Sequence, residues 1–315
     1  MSRTAFIVGG RGFVGSHAVR AFLAKGWRVH VFGPEMATDL LADVAGRFDE
    51  TDGSVEDAAA MAEAMTRAQS DVVLSFAAFA SGSGGLARSG EVDVDRAFDI
   101  NVTGLRRTFD AALEAGVGRV IWSSSTTLYG PADLYDEPVS ESAPARPRIV
   151  YGLTKALGEQ VSLFYRDRHG LETVAVRLPL VFGPGLWYSG AAGKLMVMLR
   201  NAKPGGRVTL NAPDVPVDLM YVTDCAEALE QIAALRHAPP ERLNINGFTT
   251  TFEEVARAAE RVVPGFGVEV VSDAPPILYP LISTALADES LGFSPRFDLM
   301  AAVRDLIETE GAGVA

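Results

Sequence analysis

Tyr151 and Lys155 stand four residues apart at the start of a helical pattern, so both side chains project from one face. A phenol with an ordinary pKa of about 10 is a poor base at neutral pH, but a neighbouring ammonium stabilises the phenolate and is expected to lower that value. The pair suits the removal or return of a hydroxyl proton. With seven tyrosines and four lysines in 315 residues, chance supplies roughly 0.1 such matches. The plainer reading is a surface helix carrying an amphipathic Tyr and a solvated Lys. Ser123, Ser124 and Ser125 end a strand-like run, where a hydroxyl can hold a substrate oxygen; serine clusters also form ordinary turns.

Gly9, Gly12 and Gly15 form a G-x-x-G-x-x-G series between an apolar run and a helical pattern. That spacing serves a tight turn, close backbone approach to a pyrophosphate, and a helix N-terminus whose free N–H groups favour anions. It implies a dinucleotide site, the alternative being a simple strand-to-helix turn. The second strand usually ends on an acidic residue facing the adenosine ribose; here Gly33 stands there, followed by Pro34 and Glu35. Arg11 inside the loop can pair with a 2′-phosphate, which tips the cofactor expectation to NADP, with NAD retained as the alternative. Against this, Glu35 turned inward would repel that phosphate, and Arg11 also reads as a solvated loop residue. Beside a nicotinamide, Tyr151 and Lys155 would move the proton while hydride passes to or from a carbinol or carbonyl carbon.

The elements that must position these residues alternate. Strand-like runs at 5–8, 28–32, 71–77, 119–124 and 173–178 are separated by helical patterns near 13–25, 55–68, 92–115 and 150–168. This predicts an α/β fold, a Rossmann-type doubly wound parallel sheet. Beyond Pro184 the chain becomes Gly/Pro-punctuated, with helical patterns near 190–201, 223–235, 251–262 and 298–310. We therefore expect an NAD(P)-binding Rossmann domain over 1–183 with returning segments near 218–248, and a smaller, discontinuous C-terminal α/β substrate-binding domain over 184–315. The strand-like 243–246 is expected to rejoin the main sheet.

A formal net charge of −12 and no Lys/Arg run argue against nucleic acid or an anionic membrane surface as partner. Apolar runs are too short for a membrane span, and the N-terminus lacks a signal-peptide pattern, so a cytoplasmic setting is expected. Cys225 is the single cysteine, and His17, His30, His169 and His237 are too scattered to suggest a metal cluster.

Together these pieces resemble the extended short-chain dehydrogenase/reductases, specifically the NAD-dependent epimerase/dehydratase family. The likeness runs through GGRGFVG (9–15), Asp52, FAA (76–78), NVTGL (101–105), SSSTTLYG (123–130), YGLTK (151–155), RLPLVFGPG (177–185), DLMYVTD (218–224), LNING (243–247) and LGFSP (291–295). The resemblance implies Tyr151 as acid/base, Lys155 as its pKa modulator and a nicotinamide-ribose ligand, and Ser125 as the substrate-orienting hydroxyl. It implies that Asn101 fixes the hydrogen-bond network and that Asp52 reaches adenine. Gly9, Arg11, Gly12, Phe13, Val14 and Gly15, with Phe76, Ala77 and Ala78, would line the cofactor, and the Pro179, Leu180 and Val181 backbone would lie near the carboxamide. It also implies a homodimer pairing the helices near 92–115 and 150–168 with their copies.

Departures narrow the expectation. Thr126 and Thr127 replace the Asp-Glu pair of sugar dehydratases, so a 4,6-dehydratase is not expected. Val217 and Leu180 replace polar residues that epimerases use on a nucleotide diphosphate, unless Lys194, Arg200 or Arg207 restores the charge. The leading expectation is an NAD(P)-dependent oxidoreductase acting on a secondary alcohol or ketone of a sugar-like small molecule. An epimerase with tightly held NAD is the alternative, and a non-catalytic NAD(P)-binding sensor the third. Trp187 and Tyr188 after the GPG turn form either an aromatic wall or domain packing. Cys225 reads as a buried structural cysteine, with an activated thiolate at a helix start as the alternative, His17 as a packing or surface residue, and the proline-rich 273–280 as a rigid loop.

Overall fold

A computed structural model describes residues 2–136, 138–273 and 277–311. The chain opens with β1 (Thr4–Val8), α1 (Phe13–Ala24), β2 (Arg28–Gly33), β3 (Asp49–Asp52), α2 (Ala58–Ala68) and β4 (Val72–Ser75). It continues through α3 (Gly85–Val92), α4 (Val94–Phe98), α5 (Gly104–Glu114), β5 (Arg119–Ser125), α6 (Val150–His169), β6 (Glu172–Leu178) and β7 (Leu180–Phe182). The rest comprises α7 (Ala191–Arg200), β8 (Arg207–Ala212), β9 (Val217–Tyr221), α8 (Val222–Ala234), β10 (Arg242–Asn244), β11 (Phe248–Thr250), α9 (Phe252–Val262), β12 (Gly267–Ser272), α10 (Ala285–Leu291) and α11 (Leu299–Gly311).

Seven strands pair in parallel in the order β10-β6-β5-β4-β1-β2-β3. The order reverses between β1 and β4, and the crevice beyond the strand ends at such a point is where open α/β sheets take ligands. Strands β1 and β4 are buried along their whole length, as continuous apolar runs in a doubly covered sheet must be. One face packs Val19, Phe22 and Leu229 from α1 and α8; the other packs Met61, Met65 and Phe109 from α2 and α5. A separate apolar cluster joins α7, α9 and α11 with the sheet β11-β9-β7. The returning segment expected at 243–246 is β10, which pairs with β6 at the sheet edge.

Among the differences from the sequence expectation, two bear on the site. The continuous helix expected near 92–115 is α4 and α5 joined by a π-helical turn at Asp99–Thr103, preceded by a break at Asp93, whose side chain caps α4 through the Arg96 amide. Strand β3 has the sequence Asp-Glu-Thr-Asp, whose lack of apolar alternation hides it; it is a short, charged, exposed edge strand, the kind that resists edge-to-edge pairing. Residues 274–276 of the proline-rich 273–280 lie outside the described residues, while the carbonyls of Leu278 and Leu281 accept from the amides of Ala132 and Val139.

Candidate active site

The glycine turn joins β1 to α1 at the reversal point. Gly9 has φ +76°, and a Cβ there would stand 3.2 Å from the Ala77 amide nitrogen, so the turn lies directly against the segment after β4. A Cβ on Gly15 would collide with the carbonyl oxygen of Gly9, which leaves only glycine at that position. The first helical bond runs from Ser16 N to Gly12 O (2.8 Å), so the amides of Phe13, Val14 and Gly15 have no partner within α1. No acidic residue occupies the first turn. These donors and the positive end of the helix fit a pyrophosphate.

Arg11 reaches across the ends of β2 and β3. Its Nη1 donates to Gly33 O (2.7 Å) and lies 2.8 Å from Asp52 Oδ1, and its Nη2 donates to Glu50 Oε2 (2.7 Å). Burial opposes the charge, but the two carboxylates outweigh it and hold the guanidinium more firmly protonated than usual. Arg11 is thus not a solvated loop residue, and Asp52, expected at the adenine, is in this structure a partner of Arg11.

Ser125 is the last residue of β5, and Tyr151 and Lys155 occupy the first turns of α6. Gly152 makes this juxtaposition possible: a Cβ there would lie 2.6 Å from Thr127 O, so α6 starts hard against the turn that follows Ser125. The Ser125 hydroxyl is bonded to the Tyr151 phenol and also accepts from Thr127 Oγ1 at 3.1 Å. Lys155 is 3% exposed; its Nζ donates to Ser123 O (2.6 Å) and lies 5.4 Å from the Tyr151 ring centroid. Asn101, in the π-helical turn, accepts from the Phe79 amide (2.7 Å) and donates to Thr154 Oγ1 (3.0 Å), which in turn donates to Tyr151 O (2.8 Å). It ties the segment after Phe76, Ala77 and Ala78 to the helix bearing both candidate catalytic residues. Pro179, Leu180 and Val181 follow β6, with Leu180 and Val181 half-buried in β7.

The electrostatics correct one expectation. The Tyr151 phenol is raised well above the ordinary phenol range, first by burial and then by the neighbouring Tyr188 phenol; only the bond with Ser125 opposes the rise. Burial also takes the Lys155 pKa down, to about 8. Its bonded acceptor is a backbone carbonyl rather than the phenol. In this state the phenol is a proton donor.

Residues 5–246 match the model of the NAD dependent epimerase/dehydratase family. The chain belongs to this family. By that match it is a member of the extended short-chain dehydrogenase/reductases. It is 28% identical over 239 residues to the mitochondrial L-threonine 3-dehydrogenase of Bos taurus, covering 72% of this chain but 63% of that enzyme's length. It is 29% identical to the UDP-glucose 4-epimerase of Streptomyces lividans, covering 98% of this chain and 96% of the other. Among solved structures it is similar to the UDP-glucose 4-epimerase of Thermotoga maritima with UDP-glucose: TM-score 0.85, 21% identity, 99% of this chain and all of the other.

Within this family member, the aromatic pair after the GPG turn divides. Tyr188 points inward, with Phe13 of the glycine turn edge-on at 6.5 Å, and burial pushes its phenol up to about 12. Trp187 is 42% exposed. Next to Tyr188, Ser189 donates through its amide (2.7 Å) and hydroxyl (2.5 Å) to Ser83 O, drawing the loops after β4 and β7 together. Sequence reasoning left Tyr188 undecided because nothing local distinguishes the inward from the outward ring. It missed Glu159 and Arg177, fully buried and paired through Nε–Oε1 (2.8 Å) and Nη2–Oε2 (2.6 Å). Ser124 donates to Glu159, Arg177 to Tyr129, and Tyr129 to Asn244 of β10. A charged residue inside each of two otherwise apolar patterns was the available signal.

The residues read as packing behave so. Burial, then Asp224, pushes the Cys225 thiol up to about 12, and His17 Nε2 pairs with Pro184 O at 2.9 Å, tying α1 to the GPG turn. Of the cations considered for a diphosphate, Lys194 is bonded to Asn211 O and paired with Asp273, Arg200 is held by Leu186 O and Glu310, and Arg207 packs over Gly267.

Proposed function

We propose that the protein is an NAD-linked dehydrogenase that acts on a secondary alcohol or ketone of a sugar-like molecule without a nucleoside diphosphate, and releases its cofactor each cycle. The observation that carries the reading is the convergence of Ser125, Tyr151 and Lys155 at the C-terminal end of β5, on the same edge of the parallel sheet as the glycine turn that follows β1. Gly9, Gly12 and the amides of Phe13, Val14 and Gly15 would hold the pyrophosphate. The segments 76–78 and 179–181 would flank the nicotinamide, and Lys155 would hold its ribose. A bound nicotinamide would supply or accept the hydride. In reduction, the Tyr151 hydroxyl donates its proton to the oxygen that Ser125 orients; in oxidation, it takes that proton back. The engaged state of Lys194 and Arg200, and Val217 and Leu180 at the positions expected to be polar, support a substrate lacking a diphosphate. The engagement of Arg11 by Glu50 and Asp52 supports NAD in place of the NADP suggested by the sequence.

The part from residue 184 onward, with Tyr188 at its mouth, would supply substrate contacts. Exposed Leu153 and Phe164 on α6, with Val94 of α4, support a homodimer through these helices; sedimentation should give twice the chain mass. Among the described residues no helix is long and apolar enough to cross a membrane, and together with the single buried thiol this supports a reducing, cytoplasmic setting.

A second reading has its own support: the match to the Streptomyces lividans epimerase extends over 98% of this chain. An epimerase returns the hydride to the same substrate and keeps its cofactor. Native mass spectrometry of freshly purified protein separates the two. Empty protein that forms NADH in proportion to an oxidised sugar or hydroxy acid supports the dehydrogenase. NAD retained near one per chain, with turnover of UDP-glucose and no net NADH, supports the epimerase.

A further inference from the structure

We propose that Arg88 and the serines of the loop after β4 form a subsite for an oxyanion carried by the substrate, so that the sugar-like molecule is an acid or a phosphate monoester. This rests on the proposed dehydrogenase reading and names its substrate class. A cavity of about 360 Å³ lies between that loop, α3 and the segment after β7, with Ser81, Ser83, Arg88, Ser89 and Ser189 among its lining residues and no acidic residue among them. A volume of this order suits a small ligand. A guanidinium surrounded by hydroxyls suits a carboxylate or phosphate, which can take a planar pair of N–H donors and further O–H donors together.

Glycines shape this cavity. A Cβ on Gly84 would stand 3.0 Å from Arg88 Cδ, so the bare backbone there lets the arginine stem fold back over the loop. Gly85 has φ +78°, and a Cβ on it would meet the Ser189 carbonyl oxygen at 2.4 Å, so only glycine lets the two walls join. The Ser89 hydroxyl is used up inside the wall: it accepts from the Ser81 amide (2.8 Å) and donates to Gly85 O (2.8 Å). The hydroxyls of Ser81 and Ser83 have no hydrogen-bond partner among the described residues, and the Arg88 guanidinium has there neither an ion pair nor a hydrogen bond. The acids that follow Arg88 on the chain are turned elsewhere: Glu91 accepts from the Val150 amide (2.7 Å), and Asp93 caps α4 through the Arg96 amide (3.0 Å).

The cavity lies close to the candidate catalytic groups. A Cβ on Gly90, two residues past Arg88, would stand 3.3 Å from Tyr151 N, and one on Gly85 would stand 3.4 Å from the Tyr188 ring. An anion held at Arg88 therefore directs the rest of a sugar-sized molecule past Tyr188 toward Ser125 and Tyr151. Lys194 and Arg200 are paired with Asp273 and Glu310, whereas Arg88 is left to meet a charge from outside.

The test is isothermal titration calorimetry on the full-length protein loaded with NADH, at constant ionic strength. Inorganic phosphate is the smallest probe, and D-glucuronate, D-glucose 6-phosphate and D-glucose are the sugar-sized ones. Wild type is expected to bind inorganic phosphate and at least one of the charged sugars, and to bind glucose at least about tenfold more weakly than that sugar. Arg88→Gln, at an exposed side chain, is expected to weaken phosphate and the charged sugar by about tenfold or more while leaving NADH binding within about twofold. Arg88→Lys, which keeps the charge but not the planar fork, should fall between the two. The charged sugar whose affinity depends on Arg88 identifies the carried group as carboxylate or phosphate. Charged and uncharged sugars binding alike, no charged probe binding, or unchanged affinities in Arg88→Gln overturn the subsite while leaving the dehydrogenase reading standing. Failure of wild type to take up NADH overturns that reading, and with it the assignment of the anion to its substrate.

Discussion

Two buried polar clusters share helix α6 and the ends of β5 and β6, and they are built on opposite terms. Glu159 and Arg177 form a two-pronged ion pair whose remaining groups meet Ser124, Tyr129 and the Glu141 carbonyl. One helical turn earlier, Lys155 is equally buried but has a single carbonyl acceptor, and burial takes its pKa down to about 8. The first cluster is saturated, so it holds strands and helix in register. The second is left short of partners, which keeps a phenol, a hydroxyl and an ammonium available to something from outside. The difference separates scaffold from chemistry within a single helix.

The comparison breaks most sharply at the phenol. Tyr151→Phe should lower turnover by about 10³-fold while leaving NADH binding within about twofold, because only the proton path is lost. Equal loss of binding would instead make Tyr151 part of the scaffold. At the saturated cluster, Glu159→Gln should cost about 3–5 kcal/mol in urea unfolding, since it strands a buried guanidinium, whereas Glu159→Leu with Arg177→Met should cost much less than either change alone. A double variant as unstable as the singles would mean that packing, not charge, dominates there.

Lys155→Met sharpens the contrast in the other direction. It should abolish turnover yet stabilise the cofactor-free protein at pH 7 by about 1–2 kcal/mol, the relief of an uncompensated charge exceeding the loss of one bond to Ser123 O. The sign of the pH dependence follows. Unfolded, this lysine keeps its proton to about 10.5; folded, it gives it up near 8. Between those values the unfolded chain binds more protons, so this group's contribution to stability rises with pH across that window, and the rise should be missing in the variant. Smallest of all, Tyr188→Phe should raise KM a few-fold with little change in kcat or stability, since its ring packing survives and only its hydroxyl is lost.

Much of this arrangement is legible in the chain itself. Alternating apolar runs locate the central strands, and the spacings of Gly9, Gly12, Gly15, Tyr151 and Lys155 place a turn and a helix face, because these depend on local geometry. What escapes depends on partners distant in sequence. Strand β3 has no apolar face to announce it and is defined by register with β2. The role of Arg11 is set by Glu50 and Asp52, some forty residues on. The direction in which the Tyr151 pKa moves is set by burial and then by the Tyr188 phenol, and spacing alone gave the opposite sign.

The late return of β10 to the sheet also sets an order of events during synthesis. Until residues 242–244 have left the ribosome, β6 is an open edge, and Tyr129 and Arg119 lack their acceptors at Asn244, Leu235 and His237. A nascent chain stopped near residue 183 therefore presents a bare parallel edge next to a half-built charge network, a template for pairing with the wrong neighbour. The sheet that carries the glycine turn is thus complete only when residues 242–244 have joined β6, well after its other six strands have been made.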